Sequence, residues 1–263
     1  MSTIYKVNNR LTRLFEQKGK QLLNIYFTAG FPKPDDTLSI VQALSDAGAD
    51  MIEIGMPYSD PLADGPTIQD SNMIALEGGM TMKKLFSQLE SLRKVSDVPV
   101  LLMGYLNPVM QYGVEAFCKK AAACGVDGII LPDLPPDEYI EQYKAIFEEN
   151  NISNVFLITP HTSEKRIRMI DEYTQGFIYV VSTDSTTGNA KSIKDAKPYF
   201  ERVQSYGLQS PLMIGFNVHD RDSYLFASSY ADGAIIGSAF IKAIKESSDL
   251  KADVTSFVKK IKG

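Results

Sequence analysis

Short dense apolar runs alternate along this chain with stretches in which apolar residues recur every three or four positions. The first pattern predicts buried strands and the second amphipathic helices. Ile4, Val7, Leu11, Leu14 and Phe15 share one face over residues 4–18, which predicts a leading helix that plugs one end of the fold. LLNIYFTAGFP, residues 22–32, predicts a first strand stopped by Gly30 and Pro32, and Pro34-Asp35 opens a helix carrying Leu38, Val41 and Leu44. The second strand is Met51 to Gly55, followed by a long loop and a helix near 81–94. The third covers 99–105, and a helix around 113–123 ends at Gly125. VDGIILPD is the fourth strand, Pro136-Asp137 opens a helix to about 148, and SNVFLIT is the fifth strand. SEKRIRMIDEY follows as a capped helix, then GFIYVVS as the sixth strand, the loop TDSTTGNA and a helix from about 193 to 205. PLMIGF is the seventh strand, a helix lies near 219–229, DGAIIGS is the eighth strand, and a closing helix runs to Gly263.

Strands alternating with helices, without a long linker or low-complexity segment, predict a (β/α)₈ TIM barrel, one domain over residues 1–263. A doubly wound open sheet is the alternative. Barrel active sites lie at the C-terminal ends of the strands, where Glu53, Asp64, Asp133 and the glycine-containing loops fall.

Composition narrows the function. With 44% hydrophobic and 22% charged residues the chain can bury a full core, and a net charge of -5 without blocks of like charge leaves no footprint for nucleic acid or an anionic membrane. The N-terminus lacks a signal-peptide apolar region and no apolar run reaches about 18 residues, so a cytosolic, cytoplasmic protein is expected. Cys118 and Cys124, six apart in a helical stretch, read as two reduced packed thiols. His161 and His219 are the only histidines, and neither has a neighbouring ligand set.

The stretch richest in chemistry is Met51 to Asp70, MIEIGMPYSDPLADGPTIQD. Alternation puts Ile52 and Ile54 on one face and Met51, Glu53 and Gly55 on the other, leaving a carboxylate in a buried strand. Such an acid binds a fixed cation or has a raised pKa suited to proton transfer, and the second reading fits better here. Pro57, Pro61 and Pro66 stiffen the loop that carries Asp60 and Asp64, so it can hold a second carboxylate opposite Glu53. A structural salt bridge or turn cap is the plainer alternative for these acids.

Three loops supply parts for an anion. Gly215-Phe216-Asn217 follows the seventh strand, Gly237-Ser238 opens a short helix after the eighth, and Thr187-Gly188 sits in the sixth loop. Barrels recurrently bind phosphate at these positions. Singly, each glycine does no more than turn a corner.

The string ExGxPxSDPxADGPxIQ, here Glu53, Gly55, Pro57, Ser59 to Pro61, Ala63 to Pro66 and Ile68 to Gln69, resembles the signature of the tryptophan synthase alpha chain family. The resemblance runs from Tyr26-Phe27-Thr28 through Tyr105 to Pro108, Asp127 to Pro135, Ser182 to Gly188 and Gly215-Phe216 to Gly233–Ser238. It implies reversible retro-aldol cleavage of indole-3-glycerol phosphate to indole and glyceraldehyde 3-phosphate. That reaction needs a proton at indole C3, loss of the ring N–H proton and removal of the side-chain hydroxyl proton; no metal or Schiff-base lysine is required.

By this resemblance Glu53 shuttles protons, Asp64 holds the indole N–H as an ionised acceptor, and Tyr179 orients the glutamate. Tyr26 lines the indole pocket, with Leu102 and Leu131 as apolar walls or plain core, and Gly188, Asn217, Gly237 and Ser238 bind phosphate. The chain departs from the family pattern at Ser185, in a loop that usually reads SxxGVTG, and at Asn217, where GFG is usual; Asn tolerates left-handed backbone angles, so the turn is expected to survive. The family also implies a pyridoxal-phosphate beta chain as partner, in an alpha2beta2 heterotetramer docked through the loop 56–66, with no cofactor in this chain. A stand-alone lyase and a non-catalytic activating subunit are the rival readings.

Overall fold

The computed structural model describes residues 6–61, 64–183 and 192–263. Nine strand segments form one parallel sheet: β1 (Leu22–Thr28), β2 (Met51–Gly55), β3 (Val100–Met103), β4 (Gly128–Ile130), β5 (Ser153–Val155), β6 (Leu157–Ile158), β7 (Ile178–Val181), β8 (Leu212–Gly215) and β9 (Gly233–Ile236). They lie in the order β5-β4-β3-β2-β1-β9-β8-β7-β6. The two outermost members, β5 and β6, are halves of one stretch parted only by Phe156. That stretch pairs with β4 through its first half and with β7 through its second, so the sheet comes round on itself. The expected (β/α)₈ barrel is therefore present, its fifth strand split. Side-chain alternation persists across the split, with Val155 and Leu157 inward and Phe156 and Ile158 outward.

Two apolar layers result, because each strand has an inner and an outer face. Leu22, Met51, Leu101, Ile130, Val155, Tyr179, Met213 and Ile235 fill the barrel, while Ile25, Ile52, Leu102, Ile129, Val180 and Ile214 pack outward under the helices. The leading helix is Arg10–Lys18, shorter than the periodicity predicts. Asn9 accepts hydrogen bonds from the Leu11 and Thr12 amides while the Thr12 hydroxyl receives one from Asn9 N, a capping box that fixes the helix start. Leu11 and Phe15 enter the barrel interior, the Phe15 ring 5.8 Å from that of Phe177, so the helix does plug the N-terminal end.

Two helices were hidden from the apolar pattern. Pro66–Glu77 follows the proline-rich loop directly; its inner face of Ile68, Ser71, Asn72 and Ala75 is half polar, which masks the period. Leu106–Tyr112 fills the loop after β3. The helix expected over 81–94 is two pieces, Met82–Leu89 and Leu92–Val95.

The barrel floor is closed by charge. Asp50, just before β2, is bound by Lys18 and by Lys262 of the closing helix, the latter at 2.8 Å. Asp127, just before β4, accepts from Arg93 at 2.5 Å and Arg10 at 3.4 Å. Both clusters lie at the N-terminal ends of the strands, the end of a barrel where such features serve stability. Cys118 and Cys124 are buried free thiols, as expected. Among the described residues no helix is long and apolar enough to cross a membrane.

Candidate active site

All of β2 is buried, and its alternation sends Glu53 inward, in register with Tyr26 of β1 and Leu101 of β3. The Glu53 side chain is wholly buried. One oxygen accepts from Asn24 Nδ2 at 2.5 Å, and the other has no partner among the described residues. Burial outweighs that single donor and pushes the carboxyl up to about 8. It is therefore a neutral acid at neutral pH.

Asp64 arrives from the other side, at the end of the proline-rich loop and just ahead of Pro66, the first residue of its helix. Its amide donates to Pro61 O and its carbonyl accepts from Gln69 Nε2, which pins the backbone. The carboxylate accepts from Tyr105 Oη at 3.2 Å. Burial raises it to about 6, with the Tyr105 hydrogen bond opposing. Between pH 6 and 8 one acid is thus ionised and the other protonated.

Above Glu53, with Asp64 on its wall, opens a cavity of about 640 Å³. Tyr26, Met103, Tyr179, Phe216 and Ile235 line it beside Asp64, and Thr183, Asn217, His219, Gly237, Ser238 and Lys242 are among its other lining residues. Glu53 lies beneath this floor rather than on it, close enough to Tyr26 and Tyr179 that, after burial, its charge helps raise both phenols. Inward glycines at the strand ends make room for the two rings. A Cβ on Gly55 would stand 2.1 Å from Tyr26 Oη, and one on Gly215 would stand 2.2 Å from Tyr179 Oη. Gly55→Ala is expected to drive the Tyr26 ring into the cavity and lower kcat/KM about 10²-fold, the usual cost of a displaced wall at a reacting centre. Steady-state kinetics with a circular-dichroism check of folding measures it, and unaltered kinetics would refute this packing role.

On the opposite rim the chain turns at Phe216 and Asn217, both left-handed with φ of 66° and 55°. Ser182 Oγ donates to Phe216 O at 2.8 Å and His219 Nδ1 lies 3.2 Å from Asn217 O, so the turn is held from both sides. The turn survives the absence of the usual glycine, as asparagine's tolerance of this region predicts. Asn217→Ala should cost about 1 kcal/mol in chemical denaturation, and Asn217→Gly should be close to neutral. Gly237-Ser238 begins the helix Ser238–Ile244 on the same rim. Gly188, with Asp184, Ser185 and Thr187, lies outside the described residues.

The fold thus brings Tyr26, Asp64, Tyr179, Asn217, Gly237 and Ser238 to one cavity with Glu53 below it. Leu102 and Leu131 are corrections: both are buried in the outer layer beneath the helices, and neither lines the cavity. Leu101, the register partner of Glu53, shares its inward face, so Met103 and not Leu102 reaches the cavity wall. Asn24 and Met103 were not singled out by motif, and Tyr105 and Phe216 stood inside matched stretches without a role of their own. For Met103 the signal was available in the strand parity; for Asn24 it was a lone amide in an apolar strand.

Comparison with known proteins is consistent along nearly the whole chain. Residues 12–262 match the tryptophan synthase alpha chain family. A tryptophan synthase alpha chain of Flavobacterium johnsoniae is 51% identical over 97% of this chain and 100% of its own length. That of Christiangramia forsetii is 50% identical over 97% and 98%. Among solved structures, the tryptophan synthase subunit alpha of Legionella pneumophila superposes with a TM-score of 0.88 at 31% identity, covering 97% of each chain. Mycobacterium tuberculosis tryptophan synthase gives 0.86 at 32% identity, covering 96% of each. Near-complete coverage in both directions, at half-identical sequence and on the same barrel, means that this chain belongs to the tryptophan synthase alpha chain family.

Proposed function

We propose that the cavity carries out the family's reaction with Glu53 as proton shuttle, Asp64 as anionic acceptor and the Asn217–Ser238 rim as phosphate holder. That reaction is the retro-aldol cleavage of indole-3-glycerol phosphate to indole and glyceraldehyde 3-phosphate, a carbon–carbon lyase step of tryptophan biosynthesis. The observation that carries the assignment is the placement of the two carboxyls, Glu53 wholly buried beneath the cavity floor and Asp64 on the cavity wall held by Tyr105, surroundings that raise the first to about 8 and the second to about 6. Pairs of acids whose environments separate them in this way divide acid and base roles.

The chemistry balances on these groups alone. Protonated Glu53 gives its proton to indole C3; the C2–C3 electron pair takes it and the ring nitrogen becomes the cationic end of an iminium. Asp64, ionised, accepts a hydrogen bond from the ring N–H and stabilises that charge, so the N–H proton is held in place and not lost, contrary to the expectation from the resemblance. Glu53, now a carboxylate, removes the hydroxyl proton on the carbon attached to C3. As the aldehyde forms, the C3–C bond pair returns to the ring, and the ring pair returns to nitrogen. Glu53 ends protonated, as it began, which suits a carboxyl raised to about 8. Tyr26, Tyr179, Met103 and Phe216 offer flat and apolar surface for the bicyclic ring. Ser238, Asn217 and the nearby Lys242 suit a phosphorylated tail.

Alpha chains of this family hold no cofactor of their own and work with a beta chain. In our reading the partner carries pyridoxal phosphate, the assembly is an alpha2beta2 heterotetramer in the cytoplasm, and the whole chain acts as one domain. The stiffened loop around Pro57, Asp60 and Pro61 is the segment we place against the partner. Incubating the purified chain with indole-3-glycerol phosphate, with and without a beta chain, tests the function by the release of indole. Indole release, faster with the partner, is the expected result; none under either condition overturns the reading.

A further inference from the structure

Asn24 is a fully buried amide on the inner face of β1, two residues before Tyr26 and in register with Met51 and Ile235. Its neighbours inside the barrel are apolar, so burying it needs a compensating partner. That partner is Glu53: Asn24 Nδ2 donates to Glu53 Oε1 at 2.5 Å, across 29 residues of sequence. Asn24 Oδ1 and Glu53 Oε2 have no hydrogen-bond partner among the described residues. The amide thus serves one carboxyl oxygen and leaves the other buried and unpartnered beneath the cavity floor.

We infer that Asn24 is the positioning residue of Glu53, holding Oε1 as a permanent acceptor so that the exchangeable proton resides on Oε2. This rests on the reading of Glu53 as the proton shuttle. An amide N–H can only donate, so the oxygen it meets acts as an acceptor, a role the carbonyl oxygen of the neutral acid fills better than its hydroxyl, and after ionisation it is one of the anionic oxygens. The hydroxyl of the neutral acid is then Oε2. One oxygen both delivers the proton to carbon and recovers it from the hydroxyl, and the carboxyl need not turn over between the two transfers. The donor also favours the charged form against burial. Among the described residues, the other ionisable groups facing Glu53 are Tyr26 on β1 and Tyr179 on β7, with Asp64 and Tyr105 above them. Met51, Leu101, Met213 and Ile235 supply apolar surface around them.

The test uses the full chain. Side-chain carboxyl carbons are followed by NMR across pH in the native protein, with Glu53 assigned by its loss in Glu53→Gln, while the Asn24 side-chain amide is followed in parallel. The inference expects the Asn24 amide to shift with the same midpoint as Glu53; an amide that does not sense that titration overturns it, without any measurement of activity. Asn24→Leu and the isosteric Asn24→Asp are then compared in activity. Asn24→Leu should raise the basic limb of the kcat profile by about one pH unit or more, because a donor to the charged form is gone, and Asn24→Asp should raise it as well, because a second carboxyl beside Glu53 opposes its ionisation. Each should lower kcat about ten-fold at unchanged KM. Folded variants with an unmoved limb would mean that Asn24 merely fills space. Failure of the native chain to release indole would instead remove the proton-shuttle reading beneath the inference, while the amide titration would still report the contact itself.

Discussion

Glu53→Gln is expected to yield a better-folded protein that no longer cleaves its substrate. Both proton transfers pass through this one carboxyl, so turnover should fall about 10³-fold or more, the upper part of the range for general acid–base groups. Stability should move the opposite way. In the folded chain the carboxyl is raised from 4.5 to about 8, so between those values the folded state holds a proton that the unfolded state has released. Wild-type stability therefore falls as pH rises from about 4.5, and levels off above about 8. Glutamine does not titrate and still accepts from Asn24, so the variant should be more stable at pH 7 by on the order of 3 kcal/mol and show none of this slope. Urea unfolding at several pH values beside an indole-release assay measures both. An active variant sinks the shuttle role; an inactive one without the stability gain sinks the raised pKa as its cause.

Asp64→Asn keeps the shape and an acceptor oxygen but removes the charge. The loss, expected at about 10²–10³-fold in kcat, would then report electrostatic stabilisation of the cationic ring and not mere tethering of its N–H. The pH profile supplies a sharper reading. Wild-type kcat/KM should rise through about 6 as Asp64 ionises and fall through about 8 as Glu53 loses its proton. In the variant the acidic limb should vanish while the basic limb stays. A substrate methylated at the ring nitrogen, which offers no N–H but develops the same cationic ring, should still discriminate between wild type and variant. Retention of the acidic limb in Asp64→Asn would assign it to another group.

Sequence alone went far with this chain because much of its information is local. The alternation of Met51, Glu53 and Gly55 against Ile52 and Ile54 marks the inner face of β2 without reference to any other strand. Apolar periods, prolines and glycines placed most of the elements, and the unbroken alternation of strand and helix specified the barrel. The length of the motif around Glu53 and Asp64 pointed to the family, and the full-length matches agree. Where a helix buried serine and asparagine, as over Pro66–Glu77, the local period was lost and so was the helix.

What the tertiary structure alone decided is which distant residues meet. The parity of β3 against β2 put Leu102 under the helices and Met103 on the cavity, because a shift of one position reverses a side chain's face. Gly55 is an ordinary strand end until Tyr26, 29 places earlier in the chain, lies over it at a distance that admits no Cβ. Asn24 to Glu53 and Tyr105 to Asp64 are hydrogen bonds across 29 and 41 residues, and these contacts, with burial, set the two acids apart. A carboxyl's identity is written in the sequence, but its proton affinity is a property of surrounding dielectric and donors, and those exist only once the barrel has closed.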